Sequence, residues 1–147
     1  MPHRALKHVQ AVQCLIDVFR ANVLLRFLTG EPKDLAGKAA GLMARAEHGE
    51  IVIVVSPLVV AETVWVLRSF YRHSLADIAG VLVPLMGADG IKVEDRETLI
   101  RAVELARDKN VDFVDAVLAL HAARRGEPVC SFDEDFKRLP VEWTVPA

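Results

Sequence analysis

Runs of apolar residues along the chain predict a series of short β-strands. The run at 51–55 is continuous and β-branched, which is typical of a strand in a sheet that is covered on both faces. Shorter apolar runs at 12–18, 91–93 and 128–131 predict three further strands, and 143–145 is a candidate for a fifth. The chain therefore offers four to five strands to one sheet.

Between these runs, apolar residues recur at the three- and four-residue spacing of amphipathic helices. Ser56-Pro57 before one segment, and Gly49 and Gly126 after two others, mark helix boundaries. The predicted helices are 21–28, 33–48, 57–72, 75–86, 96–109 and 113–125. Strands that alternate with helices build βαβ units, so we expect an α/β fold: a single three-layer α/β/α domain with a mostly parallel sheet of four to five strands.

The composition fits one folded domain. Apolar residues make up 52% of the 147 residues and charged residues 26%, far from the composition of a disordered chain. Residues 1–11 are basic and no apolar segment of a signal peptide follows them directly, so we expect a short N-terminal extension before a domain at 12–147. The longest apolar stretch, 51–67, is broken by Pro57 and contains Glu62, so we expect no membrane span.

The net charge and the cysteines limit the classes of protein to which the chain can belong. A net charge of −2 excludes a protein that coats nucleic acid, so any contact with RNA or DNA must come from a local basic patch. Cys14 and Cys130 lie in apolar runs without CxxC spacing, so we expect buried, reduced cysteines in a cytoplasmic protein. The histidines form no zinc motif, and the chain has no glycine-rich phosphate-binding motif.

Acidic residues stand near the ends of several predicted strands and at the helix starts beside them. They are Asp17 after the first strand, Glu62 in the helix after the second, Asp112 and Asp115 at the start of the helix before the fourth, and Asp133 and Asp135 after the fourth. In a parallel sheet the carboxyl ends of the strands share one edge, so we expect these carboxylates to converge. Clustered like charges need a compensating cation, and oxygen ligands suit Mg²⁺ or Mn²⁺, ions that promote phosphodiester hydrolysis.

Each acid also has a structural interpretation. Asp112 and Asp115 have the spacing of an N-cap residue and a carboxylate in the first helical turn. Glu62 has apolar neighbours and should lie beside a packed face, where an ion pair with an arginine would also explain it. Asp133 and Asp135 fit a solvated turn. The coincidence of acids in several separate segments favours the metal site.

Four stretches resemble PIN domains, and within that family the VapC-type toxins of bacterial toxin–antitoxin pairs. They occur in family order and are ANVLLRFLTG at 21–30, SPLVVAE at 56–62, DFVDA at 112–116 and SFDEDF at 131–136. Each stretch is short, but the four together are specific. The resemblance covers nearly the whole chain from about residue 14 onward.

The resemblance implies a Mg²⁺- or Mn²⁺-dependent endoribonuclease that is usually dimeric and is inhibited by a small antitoxin protein covering its site. By position, Glu62 and Asp115 resemble the second and third acidic metal-site residues, and Asp133 or Asp135 supplies the last. Apolar helices such as 75–86 suggest surface for a second copy or for an amphipathic antitoxin helix, so we expect a homodimer.

The polar residues that orient the family's acids match Asn22 and Ser131, and near Asn22 the sequence departs from the family pattern. The family has Asp-x-Asn at the end of the first strand, but here Arg20 stands two residues before Asn22, and Asp17 lies three residues further upstream. Either the chain bulges so that Asp17 reaches the site, or the first carboxylate is missing. In the second case metal binding should weaken.

Two functions from different classes follow. The first is an RNA-cleaving toxin. The second is a catalytically weakened PIN-like domain that acts as a nucleic-acid or protein binding module, in which Arg20 meets a phosphate or an acidic partner. A receiver domain phosphorylated on aspartate ranks last, because the sequence lacks an adjacent acidic pair after the first strand and a suitably placed late lysine.

Overall fold

The computed structural model describes residues 20–147, and its helices follow the predicted ranges closely. Within this range lie α1 Ala21–Thr29, α2 Lys33–Glu47, α3 Pro57–Ser69, α4 Leu75–Met86, α5 Arg96–Lys109 and α6 Phe113–Arg125. A short 3-10 helix, Glu134–Arg138, was not predicted from the sequence. The basic extension 1–11, the predicted first strand 12–18, Cys14 and Asp17 all lie outside the described residues.

Local chemistry sets the helix ends. Ser56 is the N-cap of α3 and accepts a hydrogen bond from Val59 N at 3.3 Å, while Pro57 occupies the first helical position. This helix ends at Ser69 rather than at the predicted residue 72, because the chain turns there and Arg72 adopts a left-handed φ of 58°. Gly126 ends α6 with a φ of 67°, a conformation that glycine adopts without strain.

The strands of the described region pair in parallel. They are β1 Ile53–Val55, β2 Ile91–Val93, β3 Val129–Cys130 and β4 Trp143–Thr144. Within residues 20–147, β1 pairs with β2 and β3 pairs with β4, so two two-stranded sheets form. The α/β class and the parallel pairing agree with the sequence prediction, whereas one sheet of four to five strands is not confirmed.

The core lies between β1, β2 and the helices around them. The largest fully buried side chains include Leu24, Ile78, Leu82, Met86 and Leu99. The turn into β2 requires glycine at Gly90, since a Cβ there would overlap the carbonyl group of Ala46. This close approach fixes β2 against the end of α2.

Two findings at the surface concern the sequence predictions. Cys130 is exposed at the end of β3, so the prediction of a buried cysteine was wrong at this position. The physical reason is that β3 is only two residues long and leaves the protein interior where the polar turn begins. Of the helices in residues 20–147, none has the length and apolar character needed to cross a bilayer.

Candidate metal centre

Helix α6 begins with two of the predicted acids, which play different roles. Asp112 is the N-cap, and its Oδ2 accepts hydrogen bonds from Val114 N at 3.0 Å and Asp115 N at 3.3 Å. The capping interpretation of Asp112 is therefore confirmed. Asp115 is partly buried, and its carboxylate forms no hydrogen bond or ion pair within residues 20–147. A carboxylate in that position is available to a ligand.

The second acidic segment is the turn that follows β3. Ser131 Oγ accepts a hydrogen bond from Asp133 N at 3.0 Å, and Asp133 Oδ1 accepts one from Asp135 N at 2.9 Å. Trp143 Nε1 donates to the carbonyl oxygen of Ser131 at 2.9 Å, which ties the turn to β4. The turn is solvated, as one interpretation proposed, and it is also held in a defined shape.

Asp135 is paired with a cation that the sequence reasoning missed. Arg138 Nη2 lies 2.6 Å from Asp135 Oδ1, and the same nitrogen lies 3.5 Å from the carbonyl oxygen of Asn110. The signal in the sequence is the three-residue spacing of Asp135 and Arg138, which brings side chains together only if the segment is helical. Because the segment was taken as a turn, that spacing carried no information.

The pKa of Asp115 reflects the acidic residues of both segments, the start of α6 and the turn after β3. Burial raises the pKa of Asp115 above its ordinary value of 3.8, and the negative charges of Asp112, Asp133 and Asp135 raise it further. Carboxylates on α6 and on the turn after β3 therefore lie close enough to repel one another. We refer to Asp112, Asp115, Asp133 and Asp135 as the acidic cluster.

Glu62 lies on α3, a helix that packs against α6. A hollow of about 220 Å³ between them is lined in part by Ala61, Trp65, Asp112 and Val114. The sequence predicted a packed face beside Glu62, and α3 has such a face, formed by Val60, Thr63, Val64 and Leu67, but Glu62 itself does not lie on it. Glu62 is exposed, and it forms no ion pair to an arginine within the described part of the chain.

The predicted residues near the first strand are placed only in part. Arg20 is the exposed N-cap of α1, with no side-chain capping bond. Asn22 is exposed on α1 and lines a hollow with Leu35 and Lys38 of α2. In the described residues Asn22 makes no hydrogen bond to the acidic cluster, and Asp17 is outside them.

The donor atoms of the acidic cluster fit a hard divalent ion, but the side chains do not yet surround one point. Carboxylate oxygens are the ligands that Mg²⁺ and Mn²⁺ prefer, and a bound cation would favour the ionised form of Asp115, which burial and the neighbouring carboxylates disfavour. Among residues 20–147, no three acidic, histidine or cysteine side chains stand close enough to share a metal ion. The carboxylate oxygens are suitable ligands for a divalent ion, but the side chains of the acidic cluster would have to move to bind one together.

Comparison with known proteins identifies the family. The family model for the PIN domain matches residues 19–142, well over half of the chain. No curated protein and no solved structure matches the chain. The matched range contains α1 to α6, the strands β1 to β3 and the acidic cluster. The chain therefore belongs to the PIN domain family, whose members are generally nucleases.

Proposed function

We propose that this PIN-domain protein is a Mg²⁺- or Mn²⁺-dependent endoribonuclease and the toxin of a VapC-type toxin–antitoxin pair. The observation that carries the proposal is Asp115, which is partly buried, forms no ion pair in the described residues and has its pKa raised by burial and then by the charges of three neighbouring carboxylates. A carboxylate whose pKa is shifted by burial and by specific charged neighbours is a common feature of functional sites. A purely structural acid would be expected to have a cation or a donor beside it.

The residues of this chain would divide the work as follows. Asp115, Glu62 and an aspartate of the turn after β3 would hold the metal, with Asp17 as a further ligand if it reaches the site. When bound, the ion supplies an activated water for in-line attack on the phosphodiester and stabilises the leaving oxygen. Asp112 keeps the first turn of α6 in place through its two capping bonds, so the Asp115 carboxylate is presented from a fixed backbone.

The turn after β3 is kept rigid by its own hydrogen bonds. Ser131 Oγ binds the backbone of Asp133, and Trp143 binds the carbonyl of Ser131. Such support is what a metal site needs, because small displacements of a ligand weaken binding. Asn22 would orient a carboxylate from the α1 side, as its position in the family pattern implies.

The proposed partners are an RNA substrate, a second copy of the chain and a small antitoxin protein in the cytoplasm. A hollow of about 530 Å³ beside α4 supports the proposal of an antitoxin, because its mostly apolar surface could bind an amphipathic helix. Its lining includes Phe27, Leu28, Met43, Val81, Pro84 and Ile91. The site itself is acidic and would repel the negatively charged RNA backbone, so a bound metal ion would be needed before the RNA could approach the site.

A second candidate function is a weakened PIN domain that binds nucleic acid or protein without cutting. The exposed Arg20, in place of an aspartate of the family pattern, favours it. A guanidinium binds phosphate well and repels a metal ion. Such a protein would have the PIN fold and would bind nucleic acid or protein, but it would not cleave RNA.

Cleavage of a structured RNA by the purified protein separates the two functions. We expect cleavage with Mn²⁺, none with excess chelator, and recovery when Mn²⁺ is restored. The D115N variant should be inactive under all three conditions and exclude a contaminating nuclease. Cleavage that survives the chelator would contradict the metal-dependent mechanism. Binding of RNA with no cleavage at any Mn²⁺ concentration would favour the binding module.

A further inference from the structure

Helices α1 and α2 form a hollow of about 220 Å³ that is lined by apolar side chains and by two cations, and we call it the α1–α2 hollow. The cations are Arg26 of α1 and Lys38 of α2, and within the described residues no acidic side chain lines the hollow. Leu35 is 41% exposed, so apolar surface there is open to solvent. The apolar lining has helical spacing along the two helices and consists of Val23, Leu35, Ala39 and Leu42.

Neither cation is neutralised by a carboxylate within residues 20–147. Arg26 Nη1 donates to the backbone carbonyl oxygen of Glu31 at 3.4 Å, and this acceptor is uncharged. Asp34 lies one turn before Lys38 on α2, but its carboxylate is not within ion-pair distance of either cation. A guanidinium has five N–H donors and an ammonium has three, so both side chains keep donors for an anionic ligand.

Other hollows in the described part of the chain differ in charge. The hollow beside α4 is lined by Glu47 and Asp89, with no cation among its described lining residues. In the hollow between α5 and α6, Arg101 and Arg124 are accompanied by Glu97. The chain has a net charge of −2 and its acidic cluster repels a polyanion, so an RNA strand needs a local basic surface that holds it. The α1–α2 hollow offers such a surface together with an apolar lining.

We propose that the α1–α2 hollow binds a nucleotide of single-stranded RNA, with the base against the apolar lining and the neighbouring phosphates on Arg26 and Lys38. The inference rests on the proposed function for the choice of RNA, and binding at this hollow requires no metal ion. An unstacked base presents an apolar face, which a duplex keeps within its stack, so an apolar lining favours single strands. The hollow has less than half the volume of the one beside α4, so it suits a base better than a helix of a protein partner.

Binding of a labelled RNA in excess chelator tests the proposal without cleavage. The probe is a single-stranded oligoadenylate of about 12 nucleotides, and fluorescence anisotropy measures its Kd. We expect R26Q/K38Q to weaken binding by about fivefold or more and to lower the slope of log Kd against log salt by roughly 0.7 for each cation removed. L35A should weaken binding without changing this slope, because it removes apolar lining and no charge. An RNA duplex of the same length should bind more weakly than the single strand.

The chain offers a matched control for the loss of charge. Lys33 and Arg45 are exposed on α2 and do not line the hollow, and Arg45 pairs with Glu50 at 3.2 Å. K33Q/R45Q changes the net charge by the same amount as R26Q/K38Q. It should leave the Kd within about twofold of wild type at physiological salt, where separated exposed charges are screened. Polyglutamate should displace the probe poorly, because it has no base for the apolar lining.

The possible outcomes are distinct. Equal losses in R26Q/K38Q and K33Q/R45Q would overturn the inference, because binding would then follow net charge alone. Displacement by polyglutamate as effective as that by unlabelled RNA would overturn it in favour of an acidic protein partner. If R26Q/K38Q does not fold, K38Q compared with K33Q decides, since both lysines are exposed on α2.

Failure of this inference is distinguishable from failure of the proposed function. Wild-type protein that cleaves RNA with Mn²⁺ but does not bind the probe in chelator would overturn the inference only. Binding with the expected pattern of variants but no cleavage would support the inference and overturn the proposed nuclease activity. Neither binding nor cleavage would overturn both.

Discussion

Nε2 of His121 lies 2.6 Å from Oδ2 of Asp95, and this pair joins the start of α5 to the second half of α6. Arg124 Nη1 lies 3.8 Å from the other carboxylate oxygen, and its second nitrogen donates to the hydroxyl group of Thr98, which is 3% exposed. Asp95 is the N-cap residue of α5 but forms no capping bond, because its left-handed φ of 57° directs the side chain to α6 instead. These contacts connect α5 to α6.

Replacing Asp95 with asparagine should destabilise the protein near neutral pH. The hydrogen bond from His121 is the main cause that lowers the pKa of Asp95 below 3.8, and Thr98, the His121 charge and Arg124 add to it. The folded state therefore favours the ionised carboxylate. We expect D95N to lower the Tm by about 2–4 °C at pH 7, the size of one partly exposed ion pair. Asparagine tolerates the left-handed conformation, so the variant tests the charge.

The pH dependence has a definite sign. The stability that comes from a lowered carboxyl pKa is complete above the unfolded value and is lost as the pH falls through the folded one. The Tm difference between wild type and D95N should therefore shrink once the pH falls below about 3.8. E94Q, at an exposed neighbouring position, is the control. Equal melting curves for E94Q and D95N at pH 7 would show that the pair with His121 contributes nothing specific.

Sequence reasoning succeeds here where the signal is local. Helices α4, α5 and α6 have the predicted bounds, because apolar spacing and capping residues are set by neighbours along the chain. These features need no knowledge of the three-dimensional contacts.

The remaining features depend on contacts between distant segments. His121 and Asp95 are 26 positions apart, and nothing in the local sequence of either marks the other as its partner. The exposure of Glu62 could not be predicted, because a largely apolar helix does not reveal which face turns inward, and on α3 Leu58 and Trp65 remain 82% and 65% exposed. Arg138 was missed because a 3-10 helix this short has no periodicity to read.

Substitutions at Asp115 and Glu62 should separate function from stability. Both D115N and E62Q should abolish metal-dependent cleavage, because each removes a charged ligand while keeping the side-chain shape. Without metal, D115N should raise the Tm by on the order of 2 °C, since it removes a partly buried charge that its neighbours repel. E62Q should leave the Tm unchanged, since Glu62 is exposed. A fall of several degrees in D115N with cleavage retained would assign Asp115 to a structural role.

The exposed apolar side chains of α3 and α6 lead us to expect a homodimer. Leu58, Trp65, Val114 and Leu118 are large and at least 47% exposed, and both helices border one hollow. Burying such a surface against a second copy is favourable by about 25 cal/mol per Å² before the costs of association. Light scattering should report a dimer, and W65E should shift it toward monomer. V145E, at an exposed position near the C-terminus, should not. A wild-type monomer at high micromolar concentration would refute the expectation.

The last prediction concerns the first carboxylate of the family pattern. Arg20 stands two residues before Asn22, where the pattern has aspartate, and it is exposed at the start of α1. If Asp17 does not reach the site, the guanidinium of Arg20 would repel a bound Mg²⁺ by on the order of a few kcal/mol at an effective dielectric near 20. Wild-type protein would then bind metal weakly and cleave RNA slowly.

Two substitutions decide between a missing carboxylate and one supplied by Asp17. If the carboxylate is missing, R20D recreates the Asp-x-Asn pattern, so Mn²⁺ affinity and cleavage rate should both rise, while D17N changes little. If Asp17 reaches the site, D17N should abolish cleavage. R20D should then leave metal affinity and cleavage unchanged, because Asp17 already supplies the first carboxylate. Titration of Mn²⁺ into wild type and both variants measures the difference directly. Equal affinity in all three proteins would contradict both alternatives, since each requires one of these residues to act on the metal.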